Sequence, residues 1–294
     1  MKKQLGPGRK PVLGAGRSNS KGFGWWEKLK ALPKWSRWLA VFLVGFGLGF
    51  SYWYFSPQHT VVRAEHGQAK MANSLKIHDG APNGSHYQYG VGDGVPDLNA
   101  LMRLRRNQQG LTLRGQVSIP KYKVNVPVFE GTSPYTLAWG AGTAKAGEEM
   151  GKRNFAIEGH NFRKLAITHN WFFSNFEEGV APAGVISLGY IQIPLRTKVY
   201  ARNTHTVYEY EIVKRDIKDI RNPTAGDVLR DEVAKEAGKP VITMTTCYEQ
   251  TGILHPYQRI VLTGILRKTT PTKDFKQLRA VFHGTLWEEF NHGD

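Results

Sequence analysis

The chain contains a single cysteine, Cys247, and its position suggests nucleophilic chemistry. Cys247 ends an apolar, β-branched run that begins at Pro240, and Arg259 opens a second apolar run shortly after it. A thiol is a good nucleophile only as thiolate, and its unperturbed pKa is about 8.5, so it needs a base or a cation nearby. An arginine can also hold a developing oxyanion. Alternatively, Cys247 is an inert buried thiol and Arg259 is a solvated charge at the end of a strand.

A histidine is the expected base if Cys247 is a nucleophile. Six of the ten histidines lie before residue 96 or after residue 269. The four that remain are His160, His169, His205 and His255. His160 ends the apolar run FAIEGH, and a strand end is a rigid place from which to aim a base. The other three lie in loop contexts. We therefore favour His160, with a structural histidine as the alternative.

Short alternating apolar runs separated by turns begin at residue 111 and predict β-strands. The predicted strands lie near 111–119, 125–129, 155–158, 184–188, 198–201, 206–216, 241–246 and 260–266. Helices are predicted over 170–178 and 224–237, the second with Thr224 as N-cap and Gly238 as its stop. Many short strands with few helices indicate a closed or nearly closed β-barrel.

The N-terminal part of the chain has the pattern of a membrane anchor. Residues 38–55 carry no charge and, at about 1.5 Å per residue, span about 27 Å, close to a hydrocarbon core of about 30 Å. Residues 1–37 contain ten Lys or Arg and one acid, so the positive-inside rule predicts a cytoplasmic tail and an extracellular remainder. We predict an uncleaved, single-pass signal anchor. A buried soluble helix and a cleaved signal peptide are the alternatives, but the run is long for a signal peptide and no A-x-A site directly follows it.

Two further segments flank the predicted barrel. Residues 56–110 are polar and rich in Gly, Asn and His, and we predict an extracellular spacer that carries a short helix capped by Asp97. Residues 269–294 form a tail with apolar residues at helical spacing, which predicts a helix packed on the barrel, with membrane-surface contact as the alternative. These apolar residues are Phe275, Leu278, Phe282, Leu286 and Phe290.

Three stretches of the chain resemble the sortase family. The run TMTTC that ends at Cys247, with Arg259 beginning the next strand, resembles the TLxTC…R signature of sortases. The segment AIEGHNF around His160 resembles the sortase histidine strand, and residues 119–143 are similar to the start of the sortase barrel. The match covers roughly 111–268 with the three catalytic residue types in family order. A preceding signal anchor fits the class A housekeeping members.

The resemblance implies an eight-stranded β-barrel transpeptidase of a Gram-positive cell surface. Such enzymes cut an LPxTG-type sorting signal between Thr and Gly and join the new carboxyl to an amine of a lipid II-like peptidoglycan precursor. It implies that Cys247 attacks the Thr carbonyl to form a thioacyl intermediate. It also implies that His160 protonates the leaving amine and later deprotonates the incoming one, and that Arg259 holds the substrate backbone and the oxyanion.

The resemblance also suggests substrate contacts. Thr246 precedes the nucleophile, where its hydroxyl or the adjacent backbone would assist the reaction. Thr245 and Ala144 fall where the family lines its sorting-signal groove.

The calcium site of some class A members uses acids in the loop before the histidine strand. Two of the aligned positions here are Lys145 and Lys152, and only Glu148 matches in type. One acid with two added cations should not hold Ca²⁺, so we predict calcium independence and no cofactor.

Several alternatives remain open at this point. A pilin-polymerising sortase usually has a lid with an Asp-Pro-aromatic element, which the sequence lacks. An L,D-transpeptidase has a different context around its cysteine. A cysteine protease would hydrolyse the same kind of signal if water reached the thioester. A nucleic-acid-binding module would use the net charge of +16. More than half of that excess lies in residues 1–37, so we predict no nucleic-acid partner.

Overall fold

The computed structural model describes residues 33–55, 110–161, 173–178, 190–248 and 257–282, together with most of 67–90 and residues 98–106. The chain divides into two compact units, Met1–Ser56 and Pro57–Asp294.

The first unit contains helix α1, Lys34–Phe55. Phe42, Phe46 and Phe50 stack along it at four-residue spacing. Among the described residues, no helix combines the length and the apolarity that a membrane crossing requires. The anchor at 38–55 therefore stays a prediction.

The second unit is built around a β-barrel. Its helices are α2 (Leu98–Leu104), α3 (Pro134–Leu137), α4 (Glu232–Ala237) and α5 (Leu278–Val281). Its strands are β1 (Leu113–Ile119), β2 (Val124–Phe129), β3 (Ala141–Thr143), β4 (Asn154–Glu158), β5 (Glu177–Glu178), β6 (Tyr190–Ile191), β7 (Lys198–Arg202), β8 (Thr206–Asp219), β9 (Val241–Cys247) and β10 (Gln258–Pro271).

Eight of these strands form a closed barrel in the order β1-β2-β3-β4-β9-β10-β8-β7. Antiparallel pairing of β1 with β7 closes it. Two neighbouring pairs are parallel, β2 with β3 and β4 with β9. Strands β5 and β6 form a separate two-stranded sheet. The predicted closed, eight-stranded, mainly β fold is confirmed.

Strand alternation sorts side chains between the barrel core and the outer face. On β9, Ile242 and Met244 join the apolar core, where they meet residues such as Phe155 and Leu262 from the neighbouring strands. The intervening residues of β9, which end with Cys247, therefore face outward. This outer face carries the chemistry described below.

Two predicted elements differ from the structure. The helix predicted over 224–237 is divided, because Arg230 is extended between a 3₁₀ turn at Ala225–Leu229 and helix α4. Gly238 adopts the left-handed conformation that ends α4, as predicted, whereas the Thr224 side chain makes no capping hydrogen bond. The helix predicted over 170–178 is wrong for its described part, which is a 3₁₀ turn at Ser174–Phe176 followed by β5.

Strand β3 was not predicted, and the strand predicted at 184–188 lies outside the described residues.

The described part of the predicted spacer packs on the barrel. Met71 is buried in an apolar cluster with Leu113, Phe129 and Trp139. The Thr132 amide donates to the carbonyl of Gln88 at 2.7 Å. The chain therefore packs on the barrel before the short helix as well as at it, where the Arg105 Nε donates to the Ala138 carbonyl at 2.7 Å.

The described part of the C-terminal tail also packs on the barrel, as predicted. Phe282 is fully buried and clusters with Tyr200 and Val207. The Ser118 hydroxyl donates to the Val281 carbonyl at 2.5 Å. Residues 283–294, which include Leu286 and Phe290, lie outside the described residues.

Candidate active site

Strand register brings the three predicted catalytic residues to one end of the barrel. Cys247 is the last residue of β9, and Arg259 lies directly opposite it on the antiparallel β10. Strand β4 runs parallel to β9 on its other side and pairs Glu158 with Thr245. His160 follows Glu158 by two residues, so it extends the same edge beside Cys247.

Two side-chain hydrogen bonds join the histidine segment to the cysteine segment. The Thr246 hydroxyl donates to the Gly159 carbonyl at 2.6 Å. The Asn161 amide nitrogen donates to the Cys247 carbonyl at 3.0 Å. The two bonds flank His160 on either side, so the backbone that carries the imidazole is fixed relative to the backbone that carries the thiol. The sequence did not predict a role for Asn161, and only its position next to His160 could have indicated one.

Close ring packing explains the glycine before the histidine. A Cβ atom at Gly159 would lie 2.9 Å from the Phe173 ring. Phe173 stacks on Phe176, and its amide donates to the His160 carbonyl at 3.1 Å. A larger residue at position 159 would push this ring away and displace the backbone of His160.

The His160 side chain is held in its neutral form. Burial and the Arg259 charge lower the pKa of His160 to about 3. Near neutral pH the imidazole is therefore uncharged, which is the state a general base requires. Cys247 is also buried, with 4% of its surface exposed.

Arg259 lies between the catalytic edge and a cleft on the outer face. Its Nε is 3.8 Å from the Glu158 carboxylate, and its Nη1 donates to the Gln258 carbonyl at 3.3 Å. The 3₁₀ turn Ala225–Leu229 packs on this face and forms the far wall of the cleft. The residues that line the cleft are Lys218, Ile220, Ala225, Val228, Leu229, Thr245, Arg259 and Val261.

The three predicted substrate-contact residues take different positions. Thr245 lines the cleft. Ala144 is buried beneath the 3₁₀ turn in an apolar cluster with Ala156 and Leu229. Thr246 is fully buried and points to the opposite side of β9 from Cys247, with its hydroxyl on Gly159. The structure thus brings Thr245 to the cleft with Arg259. Ala144 packs against Leu229 of the cleft wall, and Thr246 bonds to the histidine segment, so neither lines the cleft.

The Lys145 ammonium group lies among three oxygen atoms. It is 2.7 Å from Glu148 Oε1, 3.2 Å from Asp231 Oδ1 and 2.7 Å from the carbonyl oxygen of Asn154. Burial raises the pKa of Glu148, and the Lys145 charge opposes that rise. Lys152 forms a separate, exposed pair with Glu149. Within the described ranges, no cluster of His, Cys, Asp or Glu is arranged to hold a metal ion.

A closed barrel that presents a cysteine, a neutral histidine and a buried arginine on one edge suits cysteine-based acyl transfer. The family model described as "Sortase domain" matches residues 117–266. The chain belongs to the sortase family, whose members are cysteine transpeptidases.

The most similar relatives include sortases of class A. Sortase A of Streptococcus agalactiae is 25% identical over 250 residues, which cover 83% of this chain and 89% of that protein. Sortase A of Bacillus anthracis is 28% identical over 161 residues, covering 54% of this chain and 62% of that protein. The crystal structure of Listeria monocytogenes sortase A aligns with a TM-score of 0.44 and 24% identity, over 58% of this chain and 97% of that one.

Proposed function

We propose that this sortase is a membrane-anchored enzyme that cleaves LPxTG-type sorting signals between Thr and Gly and transfers the protein to a peptidoglycan-precursor amine. The observation that carries the proposal is the pairing of Cys247 with Arg259 on a sortase-family barrel, together with the Thr246–Gly159 and Asn161–Cys247 hydrogen bonds that join the His160 segment to Cys247. The outer face that Thr245 and Arg259 share is the proposed place for the extended peptide, with Thr245 as the proposed contact from β9. The cleft there has a volume of about 10 Å³, so it must widen to admit a peptide.

The proposed reaction has two half-reactions. Cys247 sulfur attacks the Thr carbonyl carbon while its proton passes to His160, and Arg259 stabilises the oxyanion. The tetrahedral intermediate collapses to a thioester, and His160 gives the proton to the departing Gly amine. The incoming amine then attacks the thioester and loses a proton through His160. Collapse forms the new amide and releases the Cys247 thiol. Because the resting imidazole is neutral, it accepts the thiol proton during the attack.

Residues 38–55 are the proposed membrane anchor, with residues 1–37 in the cytoplasm and the barrel outside. Support comes from the uncharged run within α1 and from the concentration of Lys and Arg before it. Release of the protein from isolated membranes by high salt, without detergent, would contradict an integral anchor.

We also propose that the enzyme works without calcium or any other cofactor. The Lys145 ammonium occupies the position among Glu148, Asp231 and the Asn154 carbonyl that a cation would need. Equal turnover and equal Tm in calcium and in EDTA are expected. A large stimulation by calcium would overturn this proposal.

The central experiment uses the full chain in detergent micelles, an LPxTG peptide and an oligoglycine amine, with products followed by mass. Wild-type protein should cleave the peptide and form the ligated product. Cys247→Ala should abolish both reactions, and full activity in that variant would show that the nucleophile is wrong. Cleavage with no ligated product at a saturating amine concentration would favour a cysteine protease instead. A library varied at x then gives the signal preference.

A further inference from the structure

Glu158 is a buried acid on the catalytic face to which the catalytic scheme gives no role. It ends β4 next to Ile157, which faces the core, so strand alternation places the Glu158 side chain on the outer face, and His160 follows two residues later. In the sheet it pairs with Gly142 of β3 and Thr245 of β9. Only 5% of its side chain is exposed, and an isolated carboxylate at such a site would be costly to bury.

The partner of this acid is Arg259. Its Nε lies 3.8 Å from Glu158 Oε1, and both side chains are 5% exposed. The Nη1 group also donates to the Gln258 carbonyl. The 3.8 Å separation is longer than a hydrogen bond, so the carboxylate attracts the guanidinium and biases its direction without fixing it. Glu158 thus lies beside the residue proposed to hold the oxyanion.

The other described charges around this pair have partners of their own. Lys218 of β8 lies directly across from Arg259 in the sheet, and its ammonium group pairs with Asp216 at 2.8 Å. Asp227 of the 3₁₀ turn pairs with Arg230 at 3.2 Å. The groups that share the face with Glu158 and Arg259 are therefore His160, Cys247 and the Lys218–Asp216 pair.

We propose that Glu158 is a positioning residue for the transfer reaction: its carboxylate orients Arg259 and offsets part of the guanidinium charge beside His160 and Cys247. This inference rests on the role proposed for Arg259. The Arg259 charge lowers the pKa of His160, which opposes the protonation that attack by Cys247 requires. A carboxylate bound to that arginine reduces this opposition, because the field of the pair is weaker than that of the cation alone.

The test compares Glu158→Gln with Glu130→Gln. Glu130 forms a second buried acid–arginine pair, with Arg114, and it also accepts a hydrogen bond from the Tyr89 hydroxyl. Both substitutions keep the shape of the side chain and remove its charge. The first readout is the pH profile of kcat/KM. The second is the rate at which iodoacetamide alkylates Cys247, followed by intact mass across the same pH range. Alkylation is specific because the chain has one cysteine.

Glu158→Gln is expected to lower kcat/KM about tenfold, mainly through kcat, because orientation of Arg259 matters most in the transition state. Both limbs of its pH profile, and the alkylation midpoint, should move to lower pH by about half a unit or more, since removing a negative charge favours proton loss from thiol and imidazolium alike. Glu130→Gln should lower Tm and keep the wild-type pH profile.

The proposal is overturned if Glu158→Gln lowers Tm while its kcat and both pH profiles match the wild type. A double-mutant cycle gives a second test. In an Arg259→Ala background, Glu158→Gln should cost less than about twofold in kcat/KM, and a full tenfold loss there would show that Glu158 does not act through Arg259.

If Glu158→Gln fails to fold, Glu158→Asp replaces it. The shorter carboxylate keeps its charge but loses its reach, so kcat should fall while the pH limbs stay in place. An unchanged kcat in Glu158→Asp would overturn the positioning role. Alkylation needs no substrate. If the enzyme does not accept the LPxTG peptide, the proposed function fails, but the alkylation experiment still tests the role of Glu158.

Discussion

Among the described residues of the barrel, two buried arginine–glutamate pairs differ in how the arginine is held. Arg114 uses all three side-chain nitrogens: Nη1 pairs with Glu130, Nε donates to the His78 carbonyl at 3.1 Å, and Nη2 donates to the Glu148 carbonyl at 2.7 Å. Arg259 lies 3.8 Å from its carboxylate partner, beyond hydrogen-bond length.

This difference separates a structural arginine from one that can take part in a reaction. The bonds of Arg114 join β1 to the segment around His78 and to the loop after β3. Moving this guanidinium toward another acceptor would break several charged hydrogen bonds. The longer contact of Arg259 can shift toward an oxyanion at small cost. We therefore expect substitution of Arg259 to lower activity, and substitutions in the Arg114–Glu130 pair to lower stability.

Arg259→Lys should have the largest effect on activity, a loss of about 100-fold or more in kcat/KM with little change in Tm, because a point charge cannot reproduce the fork of the guanidinium. Steady-state kinetics with the LPxTG peptide measure it. Arg114→Lys is the matched control and should lower Tm while keeping kcat at temperatures where the variant is folded. A near-normal rate for Arg259→Lys would make Arg259 a bystander.

Glu130→Ala should lower the free energy of unfolding by about 3 kcal/mol, since it leaves the Arg114 charge buried without its acid. It also removes the acceptor for the Tyr89 hydroxyl. Urea denaturation measures the change. Glu209→Ala, which breaks the surface pair with Lys198, is the control and should cost less than about 1 kcal/mol. Similar losses for both variants would contradict a special role for the buried pair.

Stability should fall as the pH drops below the ordinary pKa of histidine. In the unfolded chain His160 takes up a proton near pH 6.5, whereas in the fold its pKa is about 3, so acid favours the unfolded state throughout that window. The slope from this residue is at most about 1.4 kcal/mol per pH unit, or about 2 kcal/mol between pH 6.5 and 5. Urea denaturation at both pH values tests it, and His160→Gln should show a smaller decrease. Equal slopes would exclude a neutral buried imidazole.

The smallest expected effect is that of Thr246→Val, about 1 kcal/mol of stability with a severalfold loss of kcat, because the hydrogen bond to Gly159 positions the histidine segment. Thr243 provides a matched control on the same strand. It is fully buried, and its hydroxyl makes no hydrogen bond within the described part of the chain. Thr243→Val should therefore be neutral or slightly stabilising. If Thr246→Val and Thr243→Val have the same kcat, the hydrogen bond to Gly159 does not contribute to catalysis.

The sequence predicts those parts of the barrel in which alternation is strong. Strands β8, β9 and β10 were predicted because branched and aromatic residues alternate along them, although β10 continues past the predicted end at 266 to Pro271. Strand β3, of sequence AGT, has no such pattern, and the barrel forms it through pairing with its neighbours. The predicted helix over 224–237 failed at Arg230 because helix propensity carries no information about the surface on which a segment packs.

Of the candidate site, the sequence predicts only the three residues proposed to react. Cys247, His160 and Arg259 follow from residue type, strand ends and the family motif. Glu158 did not stand out, because in FAIEGH it appears as one polar residue in an apolar strand. Its significance depends on the register that places it beside Arg259, and that register follows from pairing between distant segments.

The parallel pairing of β4 with β9 also has a consequence for folding. Asn154 of β4 pairs with Val241 of β9, so the histidine and the thiol meet only after most of the barrel sequence has closed into a loop. Pairing of such high sequence separation slows folding. A chain emerging during synthesis therefore brings His160, Cys247 and Arg259 together only after β9 and β10 have been made and paired.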